Sequence, residues 1–178
     1  DRVLDLGAGL AGPARMLAAS PGCFVECIDL SPDYVVAASL LNRLTGLEDR
    51  IGVRVGSALD VPFGDAAFDV VWMQNVGMSI ADKRKLYAEI RRVLAPGGRF
   101  TVQEMVAGET ATSYFPLPWA THPADSRFIS AEGMVAALAE ADFEPVHFAD
   151  VSEAPLPPPP DGTPESVAQA PLTLSVYV

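Results

Sequence analysis

The sequence of 178 residues predicts an α/β fold in which helices cover both faces of a mostly parallel β-sheet. The first observation is the alternation of short apolar segments with segments of helical periodicity. The second is the nearly continuous apolar character of residues 68–73, which is typical of a strand buried on both faces. The third is a glycine-rich turn between the first apolar segment and a helix. With 49% apolar residues, residues 1–178 are expected to form one domain.

The strands follow from the apolar segments. They are expected at residues 2–6, 24–29, 51–55, 68–73, 99–105, 143–151 and 172–178. The Pro-Gly-Gly sequence at residues 96–98 is expected to stop the preceding helix before the fifth strand begins.

The helices follow from periodicity and capping residues. Pro13 suits the first turn of a helix over residues 12–19, and Ser31 caps a helix that runs to about residue 44. Residues 82–94 have apolar side chains at helical spacing, and Ser130 caps a last helix that runs to about residue 141. The charged side chains of the third helix are expected to face solvent, namely Lys83, Lys85, Glu89, Arg91 and Arg92.

Charge and composition exclude several partners. A net charge of −11 disfavours nucleic acid and anionic membranes, which attract basic surfaces. No apolar run approaches the roughly 20 residues of a membrane span, and no secretory signal is recognised. Cys23 and Cys27 lack further ligands nearby, so no metal site is predicted and both are expected to be reduced core residues. A cytoplasmic protein is therefore expected.

Two stretches interrupt the alternation of strands and helices. Residues 108–128 mix aromatic residues and prolines without a clear period, and such loops are often functional, so they form a candidate substrate loop. Prolines are concentrated at the start of residues 155–164, which predicts a stiff connector. Because the chain begins almost on its first strand, an N-terminal portion, expected to be helical, is expected to be missing.

The glycine-rich turn indicates a nucleotide-like ligand. Residues 7–12 read GAGLAG, in which glycines let the backbone approach a ligand and the helix N-terminus offers free N–H groups. Asp29 lies 20 residues beyond Gly9, about where an acid is needed to bind a ribose. The pyrophosphate of NAD would be poorly placed beside Asp5, whereas a ligand with an ammonium and a sulfonium group would be attracted by it.

Five segments, in order, resemble the motifs of class I S-adenosylmethionine-dependent methyltransferases. They are VLDLGAG at 3–9, ECIDLS at 26–31, GSALDVPF at 56–63, FDVVW at 68–72 and RVLAPGGR at 92–99. The resemblance is greatest to the small-molecule branch that includes sarcosine/dimethylglycine and quinone-biosynthesis methyltransferases. It implies a Rossmann-like, doubly wound sheet of seven strands, mostly parallel with an antiparallel last strand. It also implies methyl transfer from S-adenosylmethionine to a small molecule, with S-adenosylhomocysteine as product.

The resemblance further implies the residues that hold the methionine end of the cofactor. Asp5 and Gly7 would contact it, and Gly9 would allow close approach of the backbone. Gln74, expected just past the fourth strand, would lie near the transferred methyl group. Ala11 departs from the family pattern, because a third glycine is usual there, although Gly12 follows.

The nucleoside end is implied in the same way. Asp29 would accept hydrogen bonds from both ribose hydroxyls, and Leu30 would pack against the adenine. Ser57 and Ala58 occupy the position at the adenine edge. Ser57 stands where an aspartate often receives the adenine amino group, so a weaker or water-mediated contact is expected there.

The acceptor is expected beyond the carboxyl ends of the strands. Glu104 could orient a cationic or hydroxylated acceptor, with a solvated or paired acid as the alternative. His122 is the candidate base, because histidine ordinarily changes charge near neutral pH. Ser79 stands near where many relatives carry a histidine, so no base is assigned there. Two roles remain open for Tyr114, Phe115 and Trp119: they could line an apolar pocket, or they could only pack within the loop.

Two other functions remain open. An NAD(P)-dependent oxidoreductase is disfavoured by Asp5 and by the lack of a Tyr-x-x-x-Lys pair. A non-catalytic adenosyl-binding domain is compatible with Ala11 and Ser57, the two departures from the family pattern in the cofactor motifs.

Overall fold

The computed structural model describes residues 1–108, 115–117, 119–151 and 173–177. Its strands are β1 (Arg2–Leu6), β2 (Phe24–Asp29), β3 (Ile51–Val55), β4 (Phe68–Gln74), β5 (Leu94–Met105), β6 (His147–Asp150) and β7 (Thr173–Tyr177). Its α-helices are α1 (Gly12–Ala18), α2 (Pro32–Leu44), α3 (Lys83–Val93) and α4 (Ala131–Glu140), with 3-10 turns at Gly77–Ser79 and Pro123–Asp125. Tyr114 and the predicted connector at residues 155–164 lie outside the described residues. Within those residues, no helix is long and apolar enough to cross a membrane.

The strands form one sheet in the order β3-β2-β1-β4-β5-β7-β6. The neighbours from β3 to β5 pair in parallel, whereas β7 pairs antiparallel with both β5 and β6. Because β1 has β2 on one side and β4 on the other, the chain changes its direction across the sheet between β3 and β4. Open α/β sheets bind ligands at such a switch point, beyond the carboxyl ends of the strands. The predicted Rossmann-like α/β fold with a mostly parallel sheet is confirmed.

The two faces of the sheet carry separate hydrophobic cores. The larger core packs under α3 and α4, and its residues include Leu6, Met73, Leu86, Phe100 and Met134. The smaller core packs under α1 and α2, and its residues include Val3, Ala14, Val25, Cys27 and Ala38. Successive strand residues point to opposite faces. Leu4 and Leu6 belong to the larger core, so Asp5, which lies between them in sequence, is on the side of the smaller core.

Two element boundaries differ from the predictions by more than two residues. β5 begins at Leu94, before the Pro-Gly-Gly sequence, because Leu94 is already extended and pairs with Phe68. A register irregularity between Phe68 and Val70 accommodates the extra residues. The sixth strand is shorter than predicted, because Phe143 leaves the sheet and packs its ring 5.6 Å from that of Phe100.

Candidate active site

The glycine-rich turn is held against the end of β2. The backbone N–H groups of Gly7 and Ala8 both donate to Ile28 O, at 2.9 and 3.0 Å. Gly7, Gly9 and Ala11 have positive φ angles of 74°, 52° and 56°, which glycine adopts freely and alanine rarely. The left-handed turn is therefore kept although Ala11 replaces a third glycine.

Substitution of Gly7 by alanine is expected to destabilise the protein by roughly 2–3 kcal/mol, or about 5–10 °C in Tm. A Cβ atom at Gly7 would overlap the side chain of Val76, and its φ of 74° strains an alanine. Thermal unfolding followed by circular dichroism measures the change. The control is Gly64→Ala, because a Cβ atom there meets nothing within 4 Å. Equal Tm values for the two variants would contradict the close packing of Val76 on Gly7.

Asp29 joins three backbone segments at the end of β2. Its Oδ2 accepts the Gly9 N–H at 2.8 Å, and its Oδ1 accepts the Ser31 N–H at 2.9 Å. Each carboxylate oxygen has a second lone pair, so both can also accept a hydrogen bond from a ligand hydroxyl. The next residue, Leu30, has 75% of its surface exposed, although it is apolar. Asp29 and Leu30 together therefore offer a polar anchor beside an apolar surface.

Asp5 is a buried acid beneath the glycine-rich turn. Only 2% of its surface is exposed, and among the described residues its Oδ2 has no hydrogen-bond partner. Burial, and then the charge of Asp29, raise the pKa of Asp5 to about 7, while the Ala14 N–H acts in the opposite direction. A buried carboxylate without a cation is costly, so this position fits a positively charged ligand group.

The turn after β3 lies against Asp29. The Gly56 N–H donates to Asp29 O at 2.9 Å, which places Ser57 and Ala58 beside the candidate ribose site. The Ser57 hydroxyl accepts the Leu59 N–H at 3.1 Å and so shapes its own turn.

Gln74 is the last residue of β4 and not, as predicted, a residue just past it. Its side-chain amide donates a hydrogen bond to the Gln103 side chain on the neighbouring β5. Asp5 pairs in register with Trp72, so Gln74, two residues farther along, shares the sheet face of Asp5. Sequence reasoning missed the Gln103 partner, which only the β4–β5 register reveals.

Glu104 lies on the opposite face of the sheet, with the larger core. Only 4% of its surface is exposed, and its carboxyl group packs against Gly77. Burial raises the pKa of Glu104 to about 7, although nearby backbone N–H groups and Lys83 favour its charged form. Glu104 therefore lies beneath the segment that follows β4 rather than open to solvent at the sheet edge.

The candidate substrate loop is only partly described. His122 is exposed and precedes the 3-10 turn at Pro123–Asp125. The ring of Trp119 meets that of Phe128 edge to face, with centroids 6.0 Å apart. Phe115 is half-buried.

Lys83 is half-buried, whereas the helical periodicity of residues 82–94 predicts that it faces solvent. Its Nζ donates to Gly77 O, to Ile80 O at 2.6 Å and to Arg127 O at 2.9 Å. The side chain lies at the start of the helix, because these carbonyl groups converge there. Helical periodicity cannot predict these contacts, because the acceptors lie outside the helix and one of them is 44 residues away in sequence.

The structure thus brings the glycine-rich turn, Asp5, Asp29 and the turn after β3 together at the switch point. Gln74 lies at the same edge, on the same face. Glu104 is separated from them by the sheet, and His122 lies in the loop region beyond β5.

A family model described as a methyltransferase domain matches residues 4–102, which is more than half of the chain. The matched stretch runs from β1 into β5 and contains every candidate cofactor residue.

Curated proteins with similar sequences include methyltransferases for different small molecules. The chain is 41% identical over 110 residues to a glycine/sarcosine/dimethylglycine N-methyltransferase of Actinopolyspora halophila, covering 62% of this chain and 20% of that protein. It is 37% identical over 123 residues to the tocopherol O-methyltransferase of Arabidopsis thaliana, covering 66% of this chain and 34% of that protein. The chain therefore spans only about a fifth to a third of the length of these two relatives.

Two solved structures extend the comparison. The [4+2]-cyclase SpnF is 31% identical with a TM-score of 0.75, covering 85% of this chain and 55% of that one. The geranyl diphosphate C-methyltransferase of Streptomyces coelicolor A3(2), solved with S-adenosyl-L-homocysteine, has a TM-score of 0.80 at 19% identity. The alignment covers 99% of this chain and 70% of that chain, and it shows that the two chains share a fold.

Proposed function

Because the chain belongs to the methyltransferase domain family, we propose that it transfers a methyl group from S-adenosylmethionine to a small-molecule acceptor and releases S-adenosylhomocysteine. The observation that carries the proposal is Asp5, a buried acid at the glycine-rich turn with one oxygen that lacks a hydrogen-bond partner within the described part of the chain. An ammonium group is the kind of partner that such a carboxylate needs. NAD(P) offers no ammonium group, and the family match gives the oxidoreductase alternative no support.

The described residues suit the parts of this cofactor. Asp5 would attract the ammonium group of the methionine end, with Gly7 and Gly9 allowing the backbone close approach. Gln74 would lie near the same end. At the nucleoside end, Asp29 would accept the ribose hydroxyls. Leu30, Ser57 and Ala58 would line the adenine.

When bound, S-adenosylmethionine supplies a methyl group already activated by its sulfonium centre. The protein then has to hold the acceptor in line with the methyl group and exclude water. A base is needed only where the acceptor atom carries a proton to be lost. His122 is our candidate base. Glu104 is the other candidate on the acceptor side, and its burial favours an effect through neighbouring residues.

The affinity for S-adenosylhomocysteine is expected to rise up to about tenfold per pH unit toward pH 7 and to level off above it. Below its pKa of about 7, Asp5 is mostly protonated in the free protein, and only its ionised form attracts the ligand's ammonium group. Calorimetric titration between about pH 5.5 and 8.5 measures the trend. Asp5→Asn should remove most of it. A wild-type affinity that is independent of pH would count against the role of Asp5.

Calorimetry also tests the proposed function itself. The purified chain is titrated with S-adenosylhomocysteine and, separately, with NAD⁺. It is then incubated with S-adenosylmethionine and small amine, hydroxyl and thiol acceptors, and released S-adenosylhomocysteine is measured. Binding of the homocysteine compound together with acceptor-dependent release supports methyl transfer. Binding of NAD⁺ alone overturns the proposal.

One similar structure favours a second candidate function, in which the domain binds the same cofactor but does not transfer a methyl group. SpnF, at 31% identity, is named a [4+2]-cyclase rather than a methyltransferase. A domain of this fold can therefore serve another reaction. Saturable binding of S-adenosylhomocysteine, without methyl transfer to any acceptor tested, would favour this second candidate.

We further propose the finer features that the sequence predicts. A seven-stranded sheet with an antiparallel last strand, in one domain over residues 1–178, is supported by the pairing of β7 with β5 and β6. An acceptor loop at residues 108–128 is supported by the Ala107 N–H bond to Ile129 O, 2.9 Å long, at its base. A cytoplasmic location is supported by the free thiols of Cys23 and Cys27, and the lack of a nucleic-acid partner by the net charge of −11.

A further inference from the structure

The segment at residues 75–80, here named the post-β4 segment, is held by the half-buried ammonium group of Lys83. All three hydrogen-bond donors of Lys83 Nζ are used, by Gly77 O and Ile80 O of this segment and by Arg127 O. Burial lowers the pKa of Lys83, while the negative charge of Glu104 acts in the opposite direction.

A buried carboxylate lies on the other side of the same segment. A Cβ atom at Gly77 would overlap Glu104 Oε2, so this carboxyl group supports the segment directly from below. The Met105 N–H donates to Glu104 Oε1 at 3.3 Å, and Oε2 has no geometrically acceptable partner among the described residues. Glu104 also faces the buried Tyr87, and Lys83 is additionally affected by the charge of Arg127.

The post-β4 segment contacts both parts of the candidate active site. Val76 packs so closely on Gly7 that no Cβ atom fits between them. On the other side, the Arg127 N–H donates to Met78 O at 2.6 Å. The segment therefore joins the cofactor turn to the end of the candidate acceptor loop.

We propose that Lys83 and Glu104 act as a pair of positioning residues that hold the post-β4 segment between the cofactor turn and the acceptor loop. This inference rests on the proposed function, because it assigns the pair to the alignment of cofactor and acceptor. Neither side chain touches the reacting atoms. Opposite charges on the two sides of one short segment hold it in place, and loss of Lys83 leaves the buried Glu104 carboxylate with only backbone N–H groups to stabilise its charge.

The first test compares Lys83→Met with Lys85→Met. Lys85 lies on the same helix but is exposed, so its substitution makes the same charge change without touching the post-β4 segment. Lys83→Met is expected to weaken S-adenosylhomocysteine binding about five- to tenfold and to speed hydrogen exchange at the Arg127 amide by at least about tenfold. Lys85→Met should change neither. Equal affinities for the two folded variants would overturn the inference.

A double-mutant cycle provides a readout that a merely structural role would not move. Glu104→Gln removes the charge that loses its partner in Lys83→Met. The double variant should therefore bind S-adenosylhomocysteine more tightly than the sum of the two single changes in binding free energy predicts. In Lys83→Met alone, removal of the nearby positive charge raises the pKa of Glu104 above 7, so affinity should fall at alkaline pH, where the carboxylate forms without its counter-charge. Additive effects and an unchanged pH profile would overturn the pairing. Failure of the wild-type chain to bind S-adenosylhomocysteine would instead overturn the proposed function.

Discussion

Asp29→Ala is expected to weaken the binding of S-adenosylhomocysteine by at least about 100-fold. The substitution removes the acceptor proposed for two ribose hydroxyls, and hydrogen bonds to a charged group contribute about 1.5–3 kcal/mol each. It also leaves the Gly9 and Ser31 N–H groups without their acceptor, so the glycine-rich turn loses its link to the end of β2. Calorimetric titration of both proteins measures the loss.

The matched control for Asp29 is Asp33→Ala. Asp33 lies in the first turn of α2, is exposed, and carries the same charge close to the same site. Its substitution should leave the affinity within about twofold of the wild type, since an exposed charge is well screened. Comparable losses in both variants would show that only the general negative potential matters, and the proposed ribose contact would then be wrong.

Asp5→Asn is expected to change binding and stability in opposite directions. At about pH 8 the variant should lose most of its affinity for S-adenosylhomocysteine, because the charge that attracts the ammonium group is gone. Under the same conditions its Tm should rise by about 3–6 °C. Burial holds the folded-state pKa of Asp5 at about 7, above the 3.8 of an unperturbed aspartate. The carboxylate therefore ionises more readily in the unfolded chain, and this destabilises the fold increasingly between these two pKa values and fully above the higher one.

The stability gain should accordingly disappear near pH 4, where Asp5 is protonated in the folded protein and only partly ionised in the unfolded one. Thermal unfolding at both pH values tests the sign. Asp49→Asn, at an exposed acid, serves as the control and should leave Tm unchanged at either pH. A variant that binds weakly and is also less stable at pH 8 would show that Asp5 already has a compensating partner.

The residues near the glycine-rich turn could be predicted from the sequence, because their signals are local. Asp5, Gly7 and Asp29 each lie within a few residues of a strand end, and Ser31 caps α2 as predicted through its bond to the Tyr34 N–H. The strand bounds of β1, β2 and β3 follow from the same short-range patterns.

The contacts on the acceptor side could not be predicted, because they join residues that are distant in sequence. Lys83 reaches Arg127, and the face on which Glu104 lies depends on the register of β5 against β4. The start of β5 at Leu94 likewise depends on pairing with Phe68 rather than on the local Pro-Gly-Gly sequence. Periodicity describes one element at a time and carries no information about such pairings.

The exposure of Leu30 determines how the heat of ligand binding at the candidate site depends on temperature. Water covers 75% of this apolar residue directly beside the anchoring carboxylate of Asp29. A flat aromatic ring that displaces this water removes apolar surface from solvent, which makes the heat capacity change of association negative. The heat released by binding therefore grows with temperature, while burial of the polar groups at Asp29 acts on that slope in the opposite direction.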